Sequence, residues 1–148
     1  MQTKGQESYT DTLTSVAKSL PALMRAQKVG KRAMRAGMDF RTTQDAIDCI
    51  ANEKAELDAA VANGDKKNIE EELGDLLFSC VNVARHLGVD AELALKASTE
   101  KFINRFSVTE ELTKAEGLNM KELPIEELDL YWDKAKSIIN NTEENNND

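Results

Sequence analysis

The chain has 148 residues, enough for a single domain around one core. It carries 27 acidic against 19 basic side chains and a formal net charge of −8, which argues against a nucleic-acid-binding surface, normally a basic one. No signal peptide is visible in the polar stretch Met1 to Asp11, and no apolar run approaches the ~18 residues of a membrane span. The expectation is a soluble, cytoplasmic protein with no nucleic-acid and no membrane partner.

Residues 1–14 are polar and are expected to form a flexible lead-in. The first helix is expected from about Pro21 to Ala36, with Gly37 as its stop. The second starts at about Thr43, a plausible N-cap, and ends at Asn63-Gly64. Little more than Gly64-Asp65-Lys66 separates it from a third, Lys66 to Leu87, so the two should pack antiparallel. Apolar seams run along both: Ile47, Ile50, Leu57 and Val61 on one, and Ile69, Leu73, Leu76, Cys80, Val83 and Leu87 on the other. Cys49 and Cys80 stand in no metal-binding or redox spacing and are expected to be buried, reduced thiols. Asp90 is placed to cap a fourth helix that runs to Glu116-Gly117, and Pro124 suits the first turn of a fifth, ending near Ile139. Residues 140–148, NNTEENNND, hold nothing apolar and are expected to be a disordered polar tail. The fold class that follows is all-α, an antiparallel bundle of about five helices over residues 15–139. Apolar surface beyond what one thin bundle needs suggests a dimer.

Two carboxylate pairs stand out. Glu53 and Glu56 are three apart on the second helix, and Glu72 and Asp75 are three apart on the third, so each pair shares a face. Glu53 and Glu72 fall beside their apolar seams, and antiparallel packing puts all four on one side of the interface. Carboxylates crowded at a seam repel and lose hydration unless a cation neutralises them, and Mg²⁺ favours such oxygen ligands. Spacing alone leaves open whether these are metal ligands or ordinary solvated side chains.

The run Ile69-Glu70-Glu71-Glu72-Leu73-Gly74-Asp75-Leu76-Leu77-Phe78, followed by Val81-Asn82-Val83-Ala84-Arg85-His86-Leu87-Gly88, resembles the MazG signature, EExxE on one helix and ExxD on the next. Leu20 to Lys28 and Lys101 to Phe106 extend the likeness, which spans roughly Leu20 to Lys136. Longer family members carry two such domains in tandem, and this chain resembles the second of them. The resemblance implies that Glu53, Glu56, Glu72 and Asp75 are the metal-binding and catalytic carboxylates, with Glu71 in support. The implied cofactor is Mg²⁺, with Mn²⁺ as a substitute. Asn52 departs from the pattern, because the first glutamate of EExxE is expected there. Phe40 stands where the family often has tryptophan.

Lys101 and Arg105 are four apart on the fourth helix, and Trp132 and Lys136 repeat the spacing on the fifth. The resemblance makes all four nucleotide-binding; read as residues alone, they are equally a solvated basic pair and a core tryptophan. Between Lys18 and Arg41 seven basic side chains stand against one acid, Asp39, an island suited either to attract polyphosphate or to pair with acidic helices. His86 lies too far from Asp75 to share a metal and is expected at the surface.

The activity implied by the resemblance is Mg²⁺-dependent hydrolysis of nucleoside triphosphates between the α- and β-phosphates, in a homodimer. No Gly-rich phosphate loop or activated Ser or Cys is evident, which favours direct attack by water. The alternatives are a dUTPase-like or phosphoribosyl-ATP pyrophosphohydrolase, or a non-catalytic helical module whose site has decayed at Asn52.

Overall fold

A computed structural model describes residues 8–146, in which the helices are α1 (Tyr9–Thr14), α2 (Ala22–Arg35), α3 (Thr43–Asn63), α4 (Lys66–His86), α5 (Ala91–Ala115) and α6 (Ile125–Asn146), with a 3₁₀ turn at Met120–Glu122. There is no strand among the described residues, so the all-α expectation holds. The chain divides into two compact units, the first ending at Ala94 and the second beginning at Leu95. None of the described helices is long and apolar enough to cross a membrane.

Two spans differ from expectation at the ends. The segment read as a lead-in contains α1, which starts on a reciprocal cap: the Ser8 hydroxyl accepts from Asp11 N–H (3.0 Å) and the Asp11 carboxylate from Ser8 N–H (3.1 Å). Arg32 of α2 holds α1 in place, donating to the Thr12 carbonyl and to Ser15 Oγ, while Val16 is buried beneath. At the other end α6 continues past Ile139 to Asn146. Its last turns are polar, so helix propensity and continuity with the apolar part carry them rather than burial.

In the first unit α2 follows Pro21, which offers no side-chain cap. Glu92 supplies one from a distance, its carboxylate accepting from Met24 N–H at 3.3 Å. Gln27 then bridges to the start of α5, donating to the Val89 carbonyl (2.8 Å) and accepting from Ala91 N–H (2.8 Å). Gly30 lets α2 approach α4, since a Cβ there would meet Arg85 Nε and Asn82 Oδ1 at 3.3 Å.

The α3–α4 hairpin is antiparallel, as expected from its short connection. Thr42 rather than Thr43 is the N-cap of α3, accepting from Asp45 N–H at 3.0 Å. Gly64 ends α3 at φ 68°, and Asp65 caps α4 by accepting from the Lys67 and Asn68 amides. The covered rows are rotated from the expected seams. On α3 the least exposed residues are Ala46, Ile50, Glu53, Leu57 and Ala60; on α4 they include Ile69, Glu72, Leu76, Ser79 and Val83, together with Val81. Both rows alternate steps of three and four, the spacing of a narrow helix–helix seam. Ile47, Val61, Leu73 and Leu87, assigned to the seams, are exposed instead. The burial expected for the two cysteines is also corrected: Cys49 is half-buried with Sγ 3.5 Å from Ser79 Oγ, and Cys80 is exposed. Small residues, Ala46, Ala60 and Ser79, are the fully buried ones of these two rows, and the bulkier side chains between them are half-buried.

In the second unit α5 and α6 are joined by Gly117, Asn119 and the 3₁₀ turn. Thr109, Thr113 and Ala135 are its buried residues, and both threonine hydroxyls donate to α5 carbonyls, Arg105 O (2.7 Å) and Glu110 O (2.9 Å). Aromatic contacts complete it, with Phe102 5.2 Å from Trp132 and 6.5 Å from Phe106 between ring centroids.

Candidate metal centre

The two rows of the hairpin each carry one carboxylate inside the seam. Glu53 sits between Ile50 and Leu57, and Glu72 sits between Ile69 and Leu76, all half-buried. Asp75 follows Glu72 by one turn and is exposed. The antiparallel register brings these three together, with one carboxylate oxygen from each lying within 4.8 Å of the others. Cys49 opposite Ser79 marks the next pairing along the same ladder.

Glu72 bears the cost of this arrangement. Partial desolvation in the seam, and then the negative charges of Asp75, Glu56, Glu53 and Glu71, push its carboxyl above the ordinary range. Four acids gathered around Glu72 concentrate negative charge as a divalent-metal donor set does. The oxygens are hard, their separation can close around one ion, and Asp75 at the edge leaves solvent access. The residues present fit a hard divalent cation.

Glu56 is outside the close trio. It is exposed one turn from Glu53 on α3, near enough for its charge to act on Glu72. Glu71 is exposed on the adjacent step of α4, and Asn52 is exposed beside Glu53. The four nucleotide-binding candidates lie in the second unit: Lys101 exposed, Arg105 half-buried with Nε buried and unpartnered, Trp132 half-buried against Phe102, and Lys136 half-buried. Trp132 also borders a cleft of about 250 Å³ with Phe106, Met120 and Leu128.

His86 departs from its expected surface position. Its side chain is 13% exposed, its Nε2 is 2.8 Å from Asp39 Oδ1, and its ring meets Phe40 edge-on at 6.0 Å. Arg85 Nη2 donates to the same oxygen at 2.9 Å, and Phe40 N–H also donates to it at 2.8 Å. The Arg85 hydrogen bond chiefly, against the opposing effect of burial and with help from His86, Phe40 and the Arg85 charge, holds the Asp39 carboxyl well below the usual carboxylate range. The basic island thus yields its acid to α4. Among the described residues no ion pair joins the island's basic side chains to acidic helices. An Asp on a loop and an Arg-His pair 46 residues on share no spacing that marks them as partners in the sequence.

Residues 41–107 match the MazG nucleotide pyrophosphohydrolase domain. The chain is 41% identical over 90% of its length to the nucleoside triphosphate pyrophosphohydrolase of Escherichia coli (strain K12), of which the matched part is 51%. It is 42% identical over 91% of its length to the nucleoside triphosphate pyrophosphohydrolase/pyrophosphatase MazG of Thermotoga maritima, again covering 51% of that protein. An uncharacterized Bacillus subtilis protein, YabN, is 37% identical over 87% of the chain and 27% of its own length. The chain spans about half the length of the two pyrophosphohydrolases it matches.

Proposed function

We propose that this chain, which belongs to the MazG nucleotide pyrophosphohydrolase family, hydrolyses nucleoside triphosphates to the monophosphate and pyrophosphate, in the manner named for its Escherichia coli and Thermotoga relatives. The observation that carries this reading is the convergence of Glu53, Glu72 and Asp75 oxygens within 4.8 Å across the α3–α4 seam. Glu53, Glu72 and Asp75 would hold the metal, with Glu56 one turn away completing the set and Glu71 in support. Mg²⁺ is the proposed ion, with Mn²⁺ as a substitute; when bound it neutralises phosphate charge and favours ionisation of water.

The chain's own groups then divide the work. The seam fixes Glu53 and Glu72, so their oxygens are oriented before any ligand arrives. Glu56 or Glu53 orients a water for attack on a phosphorus of the α–β anhydride. The bridging oxygen leaves with pyrophosphate when the β-phosphorus bond is kept, and the water oxygen ends on the monophosphate. Lys101 and Arg105 are the proposed phosphate-binding groups of the second unit, and Trp132 and Lys136 complete its nucleotide-binding set. We propose the cytoplasm as its location, where such substrates occur and where an exposed thiol such as Cys80 stays reduced.

The test is a panel of ribo- and deoxynucleoside triphosphates with Mg²⁺, products followed by ³¹P NMR. Equimolar monophosphate and pyrophosphate is the expected result. Release of orthophosphate, or no turnover of any member, would overturn the reading.

A further inference from the structure

Where α1 rests on the last turns of α2, a cleft of about 420 Å³ opens between them, lined by Tyr9, Thr12, Ser15, Arg32, Arg35 and Ala36. The volume falls within the roughly 300–1,000 Å³ of small-molecule sites. Two guanidinium groups line the cleft and no acid does. Its surroundings carry the same sign. Between Lys18 and Arg41 seven basic side chains stand against one acid, and that acid, Asp39, is engaged by Arg85 and His86. In a chain of net charge −8 the cleft is a local reversal of sign, which draws anions to it.

Both arginines have donors to spare. Arg32 is half-buried and commits Nη1 to the Thr12 carbonyl and to Ser15 Oγ (2.8 Å), the contacts that hold α1. Its Nε and Nη2, the side-on edge of the guanidinium fork, are left over. Arg35 is exposed and takes part in no ion pair among the described residues. A cation in the last turn of α2 offsets the helix dipole, which accounts for the charge of Arg35 but not for its sharing a cleft with Arg32. The Thr12 and Ser15 hydroxyls are already committed, donating to the Tyr9 carbonyl (2.6 Å) and the Thr12 carbonyl (3.0 Å). The exposed Tyr9 phenol is the third donor group of the cleft.

We propose that this cleft binds a phosphoryl anion, pyrophosphate or the phosphate tail of a nucleotide, at a place separate from the carboxylate centre. Two guanidinium forks match a phosphoryl dianion, whose oxygens can accept from both, more closely than a singly charged carboxylate. The ligand would bridge α2 to α1, a helix of six residues that is too short to be stable without such contacts. The inference does not rest on the hydrolase reading.

The test titrates the full ¹⁵N-labelled chain with sodium pyrophosphate in the presence of EDTA, with sodium chloride at matched ionic strength as the control. Without a metal the carboxylates of α3 and α4 repel the anion, so binding reports on basic sites. Saturable shifts at the Arg35 Nε–H and the Thr12 and Ser15 amides, with slower hydrogen exchange in α1, are expected. Arg35→Gln should weaken this binding about tenfold, as loss of a charge-assisted hydrogen bond implies. Arg35→Lys should restore only part of it, because a point charge lacks the fork. ATP in the same buffer identifies the source: half-saturation of the same groups at lower concentration than pyrophosphate supports a nucleotide tail, and at higher concentration free pyrophosphate. Shifts confined to the region of Lys101 and Arg105, a response equalled by chloride, or unchanged affinity in folded Arg35→Gln would overturn the site. Hydrolysis of triphosphates by Arg35→Gln should match the parent, and a parent without turnover would overturn the hydrolase reading alone.

Discussion

Glu72 is half-buried in a helix seam with four acids around it, so its charge is unfavourable until a cation arrives. Its raised pKa means that the folded metal-free chain binds its proton more tightly than the unfolded chain does. The stability it contributes is therefore present below the ordinary glutamate range and lost as pH rises through its raised value. Glu72→Gln should flatten this fall in a series of metal-free melts across pH and raise the melting temperature above neutrality. The same variant, and Asp75→Asn, should lose hydrolysis by at least a hundredfold with helicity retained. Near-normal turnover with Mg²⁺ in either would remove the site. Asp39 has the opposite sign. Its depressed pKa contributes stability above the usual carboxylate range that is lost as pH falls through its own low value. Asp39→Asn weakens charge-assisted bonds worth about 1.5–3 kcal/mol, which at roughly 3 °C per kcal/mol lowers the melting temperature by about 5–9 °C. The loss should shrink towards acid pH, and a constant loss would assign it to packing. Asn52 is exposed beside Glu53, where an added carboxylate would act through solvent; Asn52→Glu should lower the Mg²⁺ concentration for half-maximal activity several-fold, and superimposable titrations would make the departure silent.

The α3–α4 hairpin shows how far pattern carries at the scale of elements. Its type, direction and stop at Gly64 were legible, because a glycine in the left-handed region and an acidic cap leave local marks. So was the convergence of Glu53, Glu72 and Asp75, which needs only helical spacing and an antiparallel register. The rotation of the seams was not, because the fully buried positions are the small residues Ala46, Ser79 and Ala60, which carry a weaker apolar signal than the exposed Ile47 and Leu73. The grouping of Asp39, Asn82 and Arg85 was hidden because it depends on α2 docking at Gly30. The helix α1 was not foreseen, since residues 1–14 were expected to be a flexible lead-in and six residues are too few to show periodicity. Asp65→Ala should cost about 1 kcal/mol through loss of the α4 cap and lower the melting temperature by roughly 3 °C. Activity at 25 °C should be nearly unchanged, since the seam rather than the cap fixes the carboxylates. A large loss of activity without a change in melting would show that the turn itself positions the site.

At the scale of the whole molecule, many of the large apolar side chains are uncovered. In the second unit the buried residues are Thr109, Thr113 and Ala135, while Phe102, Ile103, Leu130 and Ile138 remain about half or more exposed. Leu130 and Ile138 lie eight residues apart on one face of α6, with the aliphatic stem of Lys134 between them, so the uncovered apolar groups share a face. We propose that a second copy covers such faces. Light scattering at micromolar concentration should give about twice the 16.4 kDa chain mass. In a two-fold dimer each substitution counts on both sides. Burying one leucine stabilises by about 2 kcal/mol, so Leu130→Glu would remove roughly 4 kcal/mol from association, about a thousandfold in Kd. The variant should therefore run as a monomer at concentrations where the parent is dimeric, with its helical signal intact. A parent that is monomeric and fully active would remove the dimer. A parent dimer unaffected by Leu130→Glu would instead place the interface on another apolar face, with the exposed Leu73 and Leu77 of α4 next to be tested.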